Sequence, residues 1–598
     1  MSLRVADYIA DFIYRQGVKE VFMVTGGGMM FLSDGVYCHP KLKAVFNHHE
    51  QASAMAAASY SKYRGNFGVA MVTTGCGGTN TITGVLGAWQ DSTPCMFISG
   101  QSKKKETIYN SKLALRQFGV QEANIIEIVK SITKYAVVVD NPKEISYHLE
   151  KAFYLAKTGR PGPVWLDIPL DVQGSLIKNK ELIHFDCKDY NPSYKYFPSS
   201  KEIKSLRNYF SKSSRPVVIC GQGVRLSKCI VEFKKFIQDN HIPVVATRLG
   251  IDILPWDHPL YIGKIGNKGD RAGNFALQNS DLVISLGSRL SVSSTGHEYN
   301  TFAREAKKIV VDIDPVEHKK NTVKIDLFIN SDIGNFLKSL KRFAAKDTSE
   351  WVKKCRGWKS AWPVCLPQYK EDRKGINLYY FMDRLSRNLK KNSIVVSDAG
   401  SVAYAIPQCL RLKTGQRYIT SSAQGEMGYA IPGTIGICFA SNRHEIIGVT
   451  GDGSFQMNLQ ELQTIVQYKL PIKIFILNNN GYLSIRATQS KFFNGRLIGT
   501  DKNCGISFPK AKKIAWAYGI KYYYARRSAR LDDVINKVLK EDGPVICEVI
   551  CQKDQEVVPT VSSMRREDGT MVSKPLEDMY PFLDRKTFFS EMIVKPIG

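Results

Sequence analysis

The sequence predicts an α/β protein of three doubly wound parallel-sheet domains. Three observations carry that expectation. Apolar runs of strand length recur in three clusters, at residues 21–24, 68–73, 95–99 and 164–168, then 216–220, 281–286 and 308–313, then 393–397, 445–450, 472–477 and 545–550. Amphipathic stretches of helical period lie between them, an alternation that gives a parallel sheet covered on both faces. Several runs end in glycine-rich or Asp-containing turns, as strands that feed a ligand site do.

In the first unit, the run at 21–24 ends in Thr25-Gly26-Gly27-Gly28, and that at 68–73 leads into Gly75-Cys76-Gly77-Gly78. The unit closes with Arg160-Pro161-Gly162-Pro163, a strand at 164–168 and Pro169. Residues 184–200 are polar and aperiodic and read as a linker. The second unit places Gly221-Gln222-Gly223, Gly287-Ser288-Arg289 and Asp314-Pro315 after its strands. A charged, tryptophan-containing stretch at 351–367 reads as the connection to the third unit. Residues 556–598 are mixed in charge and read as a packed tail. The expected boundaries are 1–180, 195–345, 365–555 and 556–598. Similar architecture recurs, without repetition of sequence.

At 598 residues the chain is too long for one core, and 43% hydrophobic with 23% charged residues suits a globular protein. No apolar run reaches about 18 residues, so no membrane span is expected. The start Met1-Ser2-Leu3-Arg4 shows no signal-peptide core. The 13 cysteines form no CxxC pair, which argues against a zinc site or disulfide framework and for the cytoplasm. The net charge of +28 is spread out, with only short runs such as Lys103-Lys104-Lys105. It reads as a solvated lysine surface that draws in anionic metabolites, not as a nucleic-acid site.

The third unit holds the decisive pattern. Gly451-Asp452-Gly453-Ser454-Phe455 follows one apolar strand, and Asn478-Asn479 follows another, with 24 residues between Gly453 and Asn478. A helix is expected at 458–468. Both polar motifs then lie at carboxyl ends of parallel strands, where open α/β sheets bind ligands. Magnesium takes oxygen ligands and shares them with phosphates. Asp452 offers a carboxylate, Asn479 an amide oxygen and the backbone near Gly481 a carbonyl, while Gly451 and Gly453 permit close approach to a diphosphate.

This spacing resembles the signature of thiamine-diphosphate enzymes, and the chain resembles the acetolactate synthase family over nearly its whole length. The resemblance names the units pyrimidine-binding, central nucleotide-fold and diphosphate-binding. It implies thiamine diphosphate held through Mg²⁺. Asn47-His48-His49-Glu50-Gln51-Ala52 matches the segment whose glutamate protonates the pyrimidine ring, which places Glu50 in the proton relay. Gly425-Glu426-Met427-Gly428-Tyr429 matches the segment that bends the cofactor, with Met427 as the wedge and the Gly425 carbonyl as acceptor from the aminopyrimidine. Asp398-Ala399-Gly400-Ser401 opens a helix suited to the diphosphate, with Gly400 and Ser401 as contacts. Ser454 belongs to the same cofactor set. Gln121 matches a residue near the reacting centre. The family's cofactor lies between two subunits, which implies a homodimer or tetramer.

Members decarboxylate pyruvate, a 2-oxoacid, and join the two-carbon unit to a second carbonyl. Here Val120 stands where the family has phenylalanine, and Thr488 where it has a pocket tryptophan, changes expected to widen the acceptor site. The tail, with Arg565-Arg566-Glu567-Asp568-Gly569 and Lys574-Pro575-Leu576-Glu577-Asp578-Met579, is similar to those of acetolactate synthase-like proteins of surface-polysaccharide pathways, which raises acetyl transfer to a nucleotide-linked keto-sugar as an alternative. A simple 2-oxoacid decarboxylase and a non-enzymatic binding protein are the other readings. His48 and His49 adjoin Glu50 and read as packing. For the central unit the resemblance implies FAD, with Arg289 and Asp312 at the nucleotide. However, Gly266-Asn267-Lys268-Gly269 replaces the usual Gly-Met-His-Gly, so an empty or ADP-binding fold stands beside FAD.

Overall fold

The computed structural model describes residues 2–190, 196–340, 346–371, 374–565 and 568–597. It contains three six-stranded sheets, each parallel throughout. Strands of the first sheet are Glu20–Met23, Lys43–Phe46, Gly68–Val72, Cys95–Gln101, Ala136–Val138 and Val164–Pro169. Numbered along the chain, they lie in the order 2-1-3-4-6-5. The third sheet repeats this order with Ile394–Ser397, Arg417–Thr420, Ile446–Gly451, Ile472–Asn478, Lys521–Ala525 and Val545–Ile550. The central sheet differs, with Pro216–Cys220, Val244–Ala246, Tyr261–Lys264, Leu282–Leu286, Lys307–Asp312 and Leu327–Asn330 in the order 3-2-1-4-5-6. The strand Gly68–Val72 is buried along its whole length, as a central parallel strand under two helical layers must be.

The first and third units pack through two helices of unusual composition. Helix Glu50–Arg64 carries Ala52, Ala54, Ala56, Ala57 and Ala58, and helix Ala430–Ala440 carries Gly433 and Gly436. Small side chains let the backbones approach: a Cβ on Gly436 would stand 2.1 Å from the Ala56 carbonyl oxygen. The Lys62 ammonium, buried in this interface, reaches Asp91 Oδ2 at 2.7 Å and the Thr420 carbonyl at 2.8 Å. Asp91 in turn accepts the Ser422 and Ala423 amides at 2.8 and 2.9 Å, fixing the chain just before Gly425.

Two expectations need correction. The stretch at 351–367 is not a mere connection: helix Ser349–Ala361 buries Trp351, Cys355 and Trp358 against Phe275 in the central unit. That spacing is an apolar helical stripe, hidden by the surrounding lysines. The helix expected at 458–468 is two pieces, a 3₁₀ turn Ser454–Asn458 and helix Glu461–Gln467. The Asn458 amide donates to the Gly428 carbonyl at 2.9 Å and to Gln51 Oε1 at 3.1 Å, so tertiary bonds break the helical run. The expected linker at 184–200 holds a short 3₁₀ turn, Cys187–Asp189, and ends at the Ser199–Glu202 capping box of helix Ser200–Lys212; residues 191–195 lie outside the described residues.

The tail docks on the central unit. Glu577 is buried, accepts from Gln278 Nε2 and pairs with Arg304 at 2.7 Å, and Phe588 of helix Arg585–Glu591 packs on Phe275. Arg566 and Glu567 lie outside the described residues. Among the described residues no helix is long and apolar enough to cross a membrane.

Candidate active site

The strand order of the third sheet reverses between Ile394–Ser397 and Ile446–Gly451, and a crevice opens at such a switch point. Asp398 follows the first of these strands and Asp452 the second. Gly451 pairs with Leu477 across the neighbouring strand, so Asn479 emerges beside Asp452. The sheet thus brings Gly451, Asp452, Gly453, Ser454 and Asn479 to one edge.

The Asp452 carboxylate is buried and accepts the Gly453 amide at 2.9 Å on Oδ1 and the Gly481 amide at 3.0 Å on Oδ2. Burial pushes its pKa up to about 6 against the pull of those amides. Asp398 is likewise raised to about 6 by burial; its Oδ2 accepts from Ser454 Oγ at 2.6 Å and Thr450 Oγ1 at 2.9 Å. Four buried polar atoms here lack a partner: Asp398 Oδ1, Gln424 Oε1, Asn479 Oδ1 and Ser484 Oγ. Buried polar atoms are rarely left so, and water, an ion or a ligand meets them. Among the described residues no three His, Cys, Asp or Glu side chains converge on one point. A cation here therefore needs amide, carbonyl and ligand oxygens beside Asp452, a donor set suited to Mg²⁺ on a diphosphate.

Gly481 shows why the loop takes this form. Its φ is +143°, and a Cβ would meet the Thr500 carbonyl oxygen at 2.1 Å. Its amide faces Asp452, while its carbonyl accepts the Leu483 amide at 3.1 Å. Buried Arg486 donates to the Asn479 and Asn480 carbonyls at 3.1 and 3.3 Å and shapes the loop from behind.

Helix Gly400–Cys409 starts at the same edge without a side-chain cap, so its first amides are free for an anion. Gly400 takes φ +68°, and Ser401 is buried. Gly425, at φ +63°, and half-buried Met427 lie in the loop that Asp91 anchors. The Gly428 amide donates to Ser454 Oγ at 2.8 Å, which ties this loop to the Asp452 motif.

Glu50 opens its helix in the first unit, buried, with Oε2 accepting from Asn80 Nδ2 at 3.0 Å. His49 caps that helix by accepting the Gln51 amide at 3.1 Å, and the His48 amide donates to Glu461 Oε1 at 2.9 Å. Gln121 is exposed, in a loop with φ +57°, held from beneath by Glu122, which accepts the Phe118 and Gly119 amides at 2.8 and 3.1 Å. Thr74 Oγ1 donates to the Gln121 carbonyl at 3.4 Å. The hydrogen bond of Glu50 stays within the first unit, while the adjoining Gln51 accepts from Asn458 of the third unit at 3.1 Å.

A cleft of about 630 Å³ lies where the three units meet. Arg289, Asp312, Gly287 and Ser288 line it from the central unit, Arg160 from the first, and Gly400 and Gly425 from the third. Arg289 is exposed; Asp312 accepts the Asp314 amide at 3.0 Å and faces His318 at 3.4 Å. The cleft thus joins the central-unit residues to the edge that holds Gly400.

Comparison with known proteins agrees with this geometry. Residues 3–130 match the thiamine pyrophosphate enzyme N-terminal TPP binding domain, 203–340 the central domain, and 398–549 the C-terminal TPP binding domain. The acetolactate synthase large subunit of Cyanidium caldarium is 32% identical over 569 residues, covering 93% of this chain and 94% of its own. The chain belongs to the acetolactate synthase large-subunit family. Its similarity to the large subunit of Lactococcus lactis is 31% over 557 residues, with 92% and 93% covered. The isozyme 2 large subunit of Escherichia coli is 29% identical over 561 residues, covering 93% and 97%. The acetolactate synthase relatives therefore align with all three units, and the first and third units of this family member are thiamine diphosphate-binding domains.

Sequence reasoning named Asp398 and Asn80 only as parts of motifs, Asn80 at the end of Thr74-Gly75-Cys76-Gly77-Gly78-Thr79-Asn80, and passed over Gln424, Ser484 and Arg486. Asp398 could have been found: it directly follows an apolar strand at the switch point. Arg486 acts through contacts made by folding, and no local pattern signals it; the motif around Asn80 is visible, but its partner Glu50 is not.

Proposed function

We propose that this protein is a thiamine diphosphate- and Mg²⁺-dependent enzyme that decarboxylates pyruvate and joins the remaining two-carbon unit to a second carbonyl. The observation that carries the reading is the set of unpartnered acceptors around Asp452, facing an uncapped helix start at a sheet switch point. Asp452, Asn479 and the Gly481 backbone would hold the metal; Gly400, Ser401, Gly451, Gly453 and Ser454 would hold the diphosphate. The bound cofactor supplies the carbon nucleophile and the electron sink. Glu50, oriented by Asn80, holds and moves the proton at the pyrimidine. The Gly425 carbonyl accepts from the aminopyrimidine, Met427 supports the bent cofactor and Gln121 orients the reacting oxygen.

In the net reaction the pyruvate carboxylate leaves as carbon dioxide. The acetyl carbon bonds to the acceptor carbonyl carbon, and the acceptor oxygen takes up one proton. Arg289 and Asp312 suit FAD in the three-unit cleft. The reading includes a homodimer in which Glu50 serves its neighbour's cofactor, as the family resemblance implies. The cytoplasm is the place proposed.

The test follows carbon dioxide and products by mass spectrometry with thiamine diphosphate, Mg²⁺ and pyruvate. Acetolactate at a steady rate supports pyruvate as both donor and acceptor. Free acetaldehyde without ligation product favours the simple decarboxylase, and no carbon dioxide overturns the reading.

A further inference from the structure

Gln101 is a buried amide of the first unit with every hydrogen bond in use. It ends strand Cys95–Gln101, where alternation puts it on the same face as Ser99, and Ser99 lies in register with Asp167 on the neighbouring strand Val164–Pro169. Its Nε2 donates to Asp167 Oδ2 and to the Ala123 carbonyl, both at 2.9 Å. Its Oε1 accepts from Thr74 Oγ1 at 2.6 Å and from the Ser102 amide at 2.9 Å. That is all a glutamine amide can do. Its orientation is forced, because the Ser102 N–H only donates and the Ala123 carbonyl only accepts. Asp167 is fixed from its other side by Ser99 Oγ, itself held by Trp165 Nε1 at 2.8 Å.

These bonds converge on Gln121. Thr74 precedes Gly75, whose φ is +64° and on which a Cβ would stand 2.1 Å from the Gln121 carbonyl oxygen; the Thr74 hydroxyl lies 3.4 Å from that oxygen. Before Gln121, the Val120 carbonyl accepts from Ser102 Oγ at 3.2 Å. After it, the Glu122 carboxylate takes the Ile108, Phe118 and Gly119 amides, and Gln101 grips the Ala123 carbonyl. The backbone is thus pinned on both sides of Gln121 while the side chain stays exposed. Gly75 also opens helix Cys76–Asn80, and Asn80 at its end holds Glu50. One amide therefore ties the Gln121 turn to the short helix that orients Glu50.

Asp167 shows that the arrangement has a cost. Burial pushes its carboxyl up to about 7, against the donors Ser99 and Gln101. Burying a carboxyl lowers stability where an apolar side chain would not; what Asp167 provides is a fixed Gln101. We propose that Gln101 is a positioning residue for the ligation step, holding Gln121 through Thr74 and the Ala123 carbonyl in register with the helix that orients Glu50. This rests on the reading in which Gln121 orients the reacting oxygen, and adds the residues that give Gln121 its place.

The test uses holoenzyme saturated with thiamine diphosphate and Mg²⁺ and counts ligation product and free acetaldehyde per carbon dioxide released from pyruvate. Gln101→Met keeps the length and removes the amide. It should lower ligation product per carbon dioxide by about tenfold, the scale of one or two lost hydrogen bonds, with thiamine diphosphate affinity unchanged. Gln121→Ala should shift the same ratio, and the double variant should do no worse than the more defective single one, since both act through one group. A ratio that Gln101→Met leaves unchanged, or two effects that multiply, overturns the proposal. If Gln101→Met does not fold, Thr74→Val removes the same link and Thr74→Ser keeps it; equal ratios in those two variants overturn the proposal. Hydrogen exchange of the amides at 118–124 decides the positioning without turnover. It should quicken by at least about tenfold in Gln101→Met or Thr74→Val, while exchange in helix Glu50–Arg64 stays as in the wild type. Unchanged exchange at 118–124 overturns the proposal, whereas a wild type that releases no carbon dioxide or forms no ligation product counts against the underlying reading.

Discussion

Asp452 and Asn479 leave the ends of neighbouring parallel strands with opposite hydrogen-bond fates. The Asp452 carboxylate takes two backbone amides at 2.9 and 3.0 Å, while the buried Asn479 Oδ1 takes none. One residue is fixed in place and the other is left with an open acceptor beside it. That is the arrangement expected of two ligands to one hard cation, the first preorganised and the second completed by the ion.

Removing the charge tests the pair. Asp452→Asn keeps the shape and one acceptor oxygen but leaves the cation no carboxylate. Mg²⁺ affinity should fall by at least about 100-fold, since losing even an outer-shell partner of a ligand costs about 10–100-fold. Mg²⁺ titration of cofactor-dependent tryptophan fluorescence measures it. An unchanged Mg²⁺ midpoint in a folded variant would remove Asp452 from the metal site.

The two raised carboxyls set a pH dependence. Asp398 and Asp452, both lifted to about 6 by burial, favour the protonated form in the metal-free fold. Their contribution to the stability of that fold is present below the unfolded carboxylate value near 3.9 and is lost as pH rises through about 6. A cation on Asp452 needs the ionised form and so displaces a proton below that pH. The gain in melting temperature on adding Mg²⁺ and thiamine diphosphate should be larger at pH 7.5 than at pH 5.5. A gain independent of pH would mean that Asp452 does not meet the cation.

Glu50→Gln isolates the proton relay. The amide still accepts the hydrogen bond from Asn80 but cannot exchange a proton. Carbon dioxide release should fall by about 10²–10⁴-fold, the range for a lost general acid–base group, with thiamine diphosphate still bound. Isotope-labelled pyruvate and a cofactor titration read the two quantities separately. Full turnover in this variant would dismiss Glu50 from the relay.

How much of this was legible follows from where each signal lies. Asp452 and Asn479 stood out because each directly follows an apolar strand, so strand ends and motif spacing alone bring them together. Trp351, Cys355 and Trp358 were passed over as a connection because lysines fill the faces between them, although their spacing is helical. Asn458 broke the expected helix through bonds to Gly428 and Gln51, residues 30 and 407 positions away, and no window along the chain reveals such a partner. Glu50 was found by resemblance, while Asn80, which orients it, lies 30 residues off at the end of a glycine-rich motif that does not point to Glu50.

The buried pair Lys62–Asp91 predicts a stability effect that reaches the site. Asp91 satisfies Lys62 and the amides of Ser422 and Ala423, so Asp91→Ala strands a buried ammonium and two donors. The cost should be about 3–5 kcal/mol, as for other broken buried pairs, seen in chemical denaturation. If the variant folds, cofactor affinity should also weaken, because the loop to Gly425 loses its anchor. Wild-type stability would show that water reaches Lys62 and that the interface is looser than its geometry implies.

The proposed sharing of Glu50 and Asp452 between subunits gives the last prediction. If each site takes Glu50 from one chain and Asp452 from its partner, Glu50→Gln and Asp452→Asn homodimers both lack an intact site. A mixed dimer has one site carrying both defects and one carrying neither. Random reassociation of equal amounts makes half the dimers mixed, so about a quarter of wild-type activity should return, as two-fold symmetry requires. Had both residues served a site within one chain, each mixed dimer would hold two singly defective sites and nothing would return. Unfolding and refolding the two variants together, with differently tagged chains to confirm mixing, distinguishes these outcomes.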